Sequence, residues 1–180
     1  MKRSTKWIAT VATAAAIFFA GNVKAQTTKS PWRLGIGLEA GVPTGDISGS
    51  SNFELGGTIR LQYDATPTLA YTLTSGYYNF FGKDYTATNG TTTVTYKGSS
   101  FGVVPLKAGI KAFFSSNLYF GAEAGAGFET VSGGSTKLIV SPTLGFANKT
   151  VDVGLRYENF SGQGTNYGLV GLRVAYAFAL

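Results

Sequence analysis

The chain of 180 residues contains no cysteine and no histidine, and only 13% of its residues are charged. Soluble domains carry about 25% charged residues. Without cysteine the chain cannot be a lipid-anchored lipoprotein. Without histidine it lacks both a Cys/His metal cluster and the base that a serine nucleophile needs. The sequence therefore predicts no metal, no cofactor and no conventional histidine-dependent enzyme.

Long apolar runs are also scarce. Beyond the N-terminal segment no window holds 18 consecutive apolar residues, which predicts that no helix spans a membrane. Glycine is scattered through the chain, and β-branched and aromatic residues dominate between the glycines. This composition disfavours helix throughout and indicates an all-β fold.

The N-terminal segment has the features of a signal for export. Lys2, Arg3 and Lys6 precede an apolar stretch at residues 7–21, and a small-x-small motif follows at Val23-Lys24-Ala25. This predicts a cleaved secretory signal peptide at residues 1–25 and a short lead at 26–31. Four of the fifteen basic residues lie in that segment, so the mature chain is close to neutral and the charge indicates no nucleic-acid partner.

The remaining chain divides into eight segments in which apolar and polar residues alternate, separated by connections that are short and long in turn. The final segment shows the alternation best, because Leu172, Val174, Tyr176, Phe178 and Leu180 share one face. Membrane-spanning strands need about 9–11 residues, which these segments provide. The predicted strands are residues 32–42, 54–64, 68–81, 101–113, 118–129, 137–147, 151–160 and 167–180.

Every ionisable residue of these segments lies on the face opposite the large apolar side chains. A charge that faces lipid costs about 2–4 kcal/mol at the bilayer midplane. The pattern therefore predicts a barrel with its apolar face toward lipid and its charges in the lumen. The charges are Arg33, Glu39, Glu54, Arg60, Asp64, Lys107, Lys111, Glu123, Glu129, Lys137, Asp152, Arg156, Glu158 and Arg173.

On these features the chain resembles the small outer-membrane barrels of the OmpA/OmpX-like kind, and the generic outer-membrane β-barrel domain of Gram-negative bacteria. The resemblance covers Trp32 to Leu180 and includes the Val104-Pro105-Leu106-Lys107 run of the fourth strand. It implies an eight-stranded antiparallel up-and-down transmembrane β-barrel at residues 32–180, located in the outer membrane. The ending with Tyr176, Phe178 and Leu180 is similar to the C-terminal strand signal that the barrel-assembly machinery reads. Barrel enzymes similar to this family use a catalytic histidine, so the resemblance implies no enzyme here.

The lumenal charges are expected to pair with one another, because an eight-stranded barrel is filled by its own side chains and buried charges need partners. An acid/base pair of Glu39 and Glu123 is the less favoured alternative. The motif matches at Gly35–Ala40 (G-x-G-x-x-A) and Gly98–Gly102 (G-x-S-x-G) are accidental, since the first lies within a strand and the second has no histidine. The predicted structural network, which plugs the lumen, is Glu39, Arg60, Lys107, Glu123, Arg156, Glu158 and Arg173.

Three functions remain open at this point. The first is a non-enzymatic outer-membrane protein with a structural, adhesive or surface-binding role. Its partners would be membrane lipid, the assembly machinery and an extracellular ligand at the longest loop, Gly82–Ser100. The second is a small transport barrel, either a narrow pore or a route for an apolar solute. The third is a soluble periplasmic lipocalin-like carrier, which would need an apolar interior and a polar exterior.

Overall fold

The computed structural model describes residues 30–89 and 92–180, and every regular element in these ranges is a β-strand. The predicted signal peptide at 1–25 and most of the lead lie outside the described residues. In the described part no helix is long and apolar enough to cross a membrane. The strands are β1 (Trp32–Gly45), β2 (Ser51–Thr66), β3 (Leu69–Gly82), β4 (Tyr85–Asn89), β5 (Thr92–Tyr96), β6 (Phe101–Phe113), β7 (Leu118–Glu129), β8 (Thr136–Ala147), β9 (Val151–Gly162) and β10 (Tyr167–Ala179).

Eight of these strands close into an antiparallel barrel in the order β1-β10-β9-β8-β7-β6-β3-β2, while β4 and β5 form a separate two-stranded sheet. Barrel strands that follow one another along the chain are neighbours, and β1 closes the ring against β10 with Glu39 opposite Arg173. The predicted eight-stranded antiparallel up-and-down barrel is confirmed.

The two ends of the barrel differ in the length of their connections. Residues 67–68, 114–117 and 148–150 make tight turns at one end, which we call the short-turn end. The opposite, loop end carries the connections 46–50, 83–100, 130–135 and 163–166. Because Arg33 pairs with Ala179, the start of β1 and the end of β10 lie side by side at the short-turn end.

The outer and inner faces of the wall have the polarity that the charge pattern predicts. Outward-facing Leu38 and Leu155 are 69% and 56% exposed, whereas inward-facing Lys107 and Glu158 are fully buried. Aromatic side chains cluster at both rims: the rings of Trp32 and Tyr63 lie 4.8 Å apart near the short turns. An apolar exterior with a charged interior is the reverse of what a lipocalin-like carrier requires.

Two of the predicted connections were wrong in extent or content. The connection predicted at 43–53 shrinks to 46–50, because β1 continues to Gly45 by pairing with β10 alone. The longest loop, Gly82–Ser100, contains the β4–β5 hairpin, which was not predicted. The Asn-Gly pair at residues 89–90 is a short-range hairpin pattern that could have indicated it, although Asn89 lies in β4 opposite Thr92.

Two prolines interrupt the hydrogen-bond ladders of the barrel wall. In the β3–β6 ladder the pairing stops at Ser75–Leu106 and resumes at Tyr78–Val103, on either side of Pro105. A similar gap separates Val140–Asn159 from Thr143–Arg156 beside Pro142. Proline has no N–H to donate to a ladder. At the first gap the Ser75 hydroxyl donates to the carbonyl oxygen of Pro105 at 2.9 Å and so replaces a ladder partner.

Glycines make room for large rings in the narrow lumen. Tyr119 is fully buried, and its ring lies against Gly145, where a β-carbon would overlap it, while its hydroxyl lies close to Gly154. The Tyr119 hydroxyl donates to Asp152 at 2.7 Å. Small residues on the inner face therefore let the lumen hold an aromatic ring and a charge at the same level.

Candidate functional site

The lumen holds a closed circuit of buried side chains in which positive and negative charges alternate. Each member forms ion pairs with the member before it and the member after it, and the last returns to the first. The circuit runs Asp152, Arg60, Glu123, Lys107, Glu158, Arg156, Glu39, Arg173 and back to Asp152. Lys111 adds a further ion pair at Asp152. We call this set the lumenal circuit.

Residues from strands on opposite sides of the barrel meet in this circuit. Arg60 of β2 places Nη2 3.0 Å from Glu123 Oε2 of β7 and Nη1 3.4 Å from Asp152 Oδ2 of β9. Arg173 of β10 reaches Asp152 with Nη1 at 3.4 Å and Glu39 with Nε at 3.4 Å. The two Arg60 pairs cross the lumen between strands that share no backbone hydrogen bonds, whereas the two Arg173 pairs join β10 to its neighbours β9 and β1.

Hydroxyl groups add hydrogen bonds to several members of the lumenal circuit. Thr74 Oγ1 donates to Glu123 Oε1 at 2.6 Å and accepts from Arg60 Nε at 2.9 Å. The Tyr78 hydroxyl accepts hydrogen bonds from Lys107 at 3.0 Å and Arg156 at 2.9 Å. Such secondary partners are what allow buried charges to be tolerated.

The structure brings all seven residues of the predicted network into the lumenal circuit, and it adds two others. Asp152 and Lys111 were placed on the inner face by the alternation, but nothing in the sequence marked them as partners of Arg60 and Arg173. Cross-lumen partners depend on how the closed sheet is staggered, which a strand-by-strand pattern does not contain. Glu39 and Glu123 each pair with guanidinium groups, an arrangement that differs from an acid/base pair.

Glu54 lies inside the barrel without joining the circuit. Its side chain is fully buried, and neither carboxylate oxygen has a hydrogen-bond partner among the described residues. Its ladder partners are Gly41 and Phe80, which places it on the loop-end side of the barrel.

Above the lumenal circuit the interior changes from ionic to aromatic. Phe80 stacks on Phe101 with ring centroids 4.8 Å apart, and Phe160 stacks on Tyr167 at the same separation. The two stacks meet edge to face through Phe80 and Tyr167 at 5.7 Å. We call these four rings the aromatic cup. Ile47, Val103, Ile139 and Leu169 belong to the same buried cluster.

The connection at 163–166 is fastened over the mouth of the barrel. The buried ammonium of Lys137 donates to the carbonyl oxygens of Gln163 and Thr165, the latter at 2.8 Å. The Tyr167 hydroxyl donates to Glu129 Oε1 at 3.2 Å. These bonds hold the loop-end connections against the aromatic cup.

The β4–β5 hairpin stands apart from the barrel wall at the loop end. One face carries Tyr85, Val94 and Tyr96, which are 51%, 45% and 61% exposed. The other face carries threonines, with Thr86 and Thr95 hydroxyls 3.5 Å apart. The segment 85–96 contains no charged residue. It is an exposed, uncharged surface of apolar and hydroxyl groups.

Little free volume remains inside the barrel. The two cavities described next to Arg60, one lined by Arg173 and one by Lys111, measure about 10 Å³ each. That is about the volume one water molecule needs. No group of three or more metal-ligating side chains occurs in residues 30–89 and 92–180. At the C-terminus Tyr176, Phe178 and Leu180 all face outward and are about half exposed.

Comparison with known proteins identifies the fold but no close relative. No protein-family model matches the chain, and no curated protein matches it in sequence. Among solved structures the chain is similar to Ail, the attachment invasion locus protein of Yersinia pestis. The TM-score is 0.57 at 14% identity, and the match covers 84% of this chain and all of Ail. Ail has also been solved in complex with the heparin analogue sucrose octasulfate, with a TM-score of 0.51 and 15% identity over 82% of this chain and 97% of Ail.

Two further structures share the architecture. The N-terminal β-barrel domain of Pseudomonas aeruginosa OprF matches with a TM-score of 0.52 at 14% identity, over 80% of this chain and 97% of that domain. Neisserial surface protein A matches with a TM-score of 0.50 at 14% identity, over 83% of this chain and 98% of that protein. The fold is that of the small eight-stranded outer-membrane β-barrels, as the sequence pattern predicts.

Proposed function

We propose that this chain is a non-enzymatic integral outer-membrane protein whose barrel is a closed anchor and whose loop-end hairpin contacts surfaces outside the cell. The observation that carries this proposal is the β4–β5 hairpin: it pairs with no barrel strand and exposes Tyr85, Val94 and Tyr96 on one face. Exposed aromatic residues on a rigid support are typical of binding surfaces.

A closed barrel is supported by the contents of the lumen. The lumenal circuit and the aromatic cup occupy the interior, and the two cavities beside Arg60 measure only about 10 Å³ each. This filling argues against a narrow pore, which would need a water-filled lumen. We infer that the circuit acts as a structural plug and that transport is not the function.

The outer face supports a location in a lipid bilayer. Its apolar side chains are exposed, and aromatic rings lie at both rims, as in transmembrane barrels. Export through the signal peptide at 1–25 and insertion by the barrel-assembly machinery, with Tyr176, Phe178 and Leu180 in the strand signal, form part of the same proposal.

The contact role is tested by replacing residues 85–96 with a short Gly/Ser turn in cells that display the protein. We expect attachment to plates coated with heparin to fall to the level of cells without the protein. Heparin is used because Ail has been solved with a heparin analogue. Heat-dependent gel migration checks that the replaced chain still folds as a barrel.

Two double variants then locate the binding face. Val94→Ser with Tyr96→Ser changes the apolar face, and Thr86→Ala with Thr95→Ala changes the hydroxyl face. We expect the first pair to abolish attachment and the second to preserve most of it. Unaltered attachment after replacement of the whole hairpin would refute the contact role.

A further inference from the structure

The connection 46–50 has one apolar residue among polar and glycine neighbours, and that residue is buried. Ile47 is 8% exposed, whereas Asp46, Ser48, Gly49 and Ser50 are exposed. Its side chain joins the cluster formed by the aromatic cup, including Phe80 and Tyr167. Ile47 therefore covers the opening of the lumen at the loop end, which we call the mouth.

The backbone of this connection forms a compact unit around Ile47. Ser48 N–H donates to the Gly45 carbonyl at 3.0 Å, and Ser51 N–H donates to the Ile47 carbonyl at 2.8 Å. Asp46 N–H donates to the Asn166 carbonyl at 3.3 Å, and Asn166 N–H donates to the Asp46 carboxylate at 3.0 Å. Because these bonds tie the connection together, displacing it would also displace Ile47, and it would break the two bonds to Asn166 of the neighbouring connection 163–166.

The base of the β4–β5 hairpin is bonded to this same unit. The Tyr85 hydroxyl donates to the Gly49 carbonyl at 2.5 Å, and the Lys83 ammonium donates to the Ser48 carbonyl at 2.7 Å. Lys83 N–H also donates to the Ser50 carbonyl at 2.8 Å. The acceptors of these three bonds are the carbonyl groups of Ser48, Gly49 and Ser50, the three residues that follow Ile47.

We propose that the connection 46–50 is a lid over the aromatic cup, and that the hairpin holds this lid shut through Lys83 and Tyr85. A partner that binds the hairpin and pulls its base away breaks these bonds and releases the lid, so that Ile47 can leave the mouth. Opening uncovers an apolar aromatic surface to the outside, while the lumenal circuit below keeps the barrel closed. This inference rests on the proposed contact role of the hairpin and adds its conformational consequence.

The absence of cysteine from the chain provides a direct test. A single cysteine is introduced as Val103→Cys, since Val103 is fully buried in the cluster beneath Ile47. A membrane-impermeant maleimide then measures access to the mouth in barrels reconstituted in nanodiscs. Ser132→Cys, in an exposed connection, calibrates the intrinsic labelling rate.

Removal of the Ile47 side chain and release of the hairpin should both increase the labelling rate at residue 103. We expect Ile47→Gly to accelerate labelling at residue 103 by about tenfold or more, since labelling then requires no lid opening. Lys83→Met with Tyr85→Phe should accelerate it by about fivefold, the factor expected when one or two ordinary hydrogen bonds are lost. Lys97→Met with Tyr96→Phe makes the same chemical change on the hairpin without touching the lid, and should have no effect.

Each other outcome overturns a defined part of the proposal. An unchanged labelling rate in Ile47→Gly refutes the claim that Ile47 closes the mouth. If heat-dependent migration shows that the Ile47→Gly variant does not fold, the Ile47→Ala variant is used in its place. Faster labelling in Ile47→Gly but not in Lys83→Met with Tyr85→Phe refutes the coupling to the hairpin. Attachment is assayed in parallel: if it does not depend on the hairpin while labelling follows the expected order, the contact role falls and the lid stands.

Discussion

At the scale of single residues, the stability lost when a charged side chain is removed depends on whether its ion pair is buried or exposed. Arg60 is 5% exposed and binds two carboxylates, whereas Arg33 forms its ion pair with Asp64 at 2.7 Å with about a third of its side chain exposed. Removal of one partner from a buried pair leaves an uncompensated charge, and solvent screens an exposed pair. The same amino acid therefore has different effects at the two positions.

Arg60→Ala is expected to lower the free energy of unfolding by about 3–5 kcal/mol, because Glu123 and Asp152 lose a guanidinium in the buried lumen. The matched control Arg33→Ala should cost no more than about 1 kcal/mol. Urea unfolding of the barrel in lipid vesicles measures both values. Planar-bilayer recording on Arg60→Ala should show conductance above that of the wild type if the circuit plugs the lumen. Equal stability for the two variants together with unchanged conductance would contradict the plug.

At the scale of strands, two prolines interrupt the hydrogen-bond ladders of the wall. Backbone groups inside a bilayer must be satisfied by the protein, since lipid tails offer no hydrogen bonds. Ser75 meets this requirement at the β3–β6 gap by donating to the carbonyl of Pro105. This hydrogen bond explains why a polar residue lies on the outer face of the wall.

Ser75→Ala should destabilise the barrel by about 1–3 kcal/mol, because the Pro105 carbonyl would be left without its donor. Ser75→Thr retains the hydroxyl and should restore most of the loss. Urea midpoints of the three proteins, compared at constant denaturant slope, give the result. If alanine and threonine were equivalent at this position, the Ser75 hydrogen bond would be unimportant.

At the scale of the whole molecule, the barrel has its polar side chains inside and its apolar side chains outside, which is the polarity expected in lipid. Trp32 provides a probe, because it is the only tryptophan outside the predicted signal peptide and lies at the short-turn rim, 43% exposed. Tryptophan at such a rim sits at the level of the lipid headgroups.

Trp32 fluorescence in vesicles should be quenched most by lipids that carry bromine near the headgroup, and less by lipids brominated near the chain end. Trp32→Phe with Phe120→Trp places the probe on β7 at the same rim and should give the same depth. A fluorescence that no brominated lipid quenches would show that this rim does not contact the bilayer.

The sequence alone determined the class of the fold and the direction of each side chain. A period of two residues carries both pieces of information, because successive side chains of a strand point to opposite faces. Strands β6 and β7 have the predicted limits, and all seven residues of the predicted network lie inside. The hairpin inside the predicted loop Gly82–Ser100 was not predicted.

Only the tertiary structure decided which inward-facing residues meet. Some partners in the lumenal circuit, such as Arg60 with Asp152 and Lys107 with Glu158, come from strands that are not neighbours in the sheet, and their contacts depend on the stagger with which the sheet closes. The aromatic cup and its cover by Ile47 were missed for the same reason, since one isoleucine in a Gly/Ser-rich connection has no periodic pattern to place it. Local alternation specifies a face, whereas a contact across the lumen requires the closed barrel.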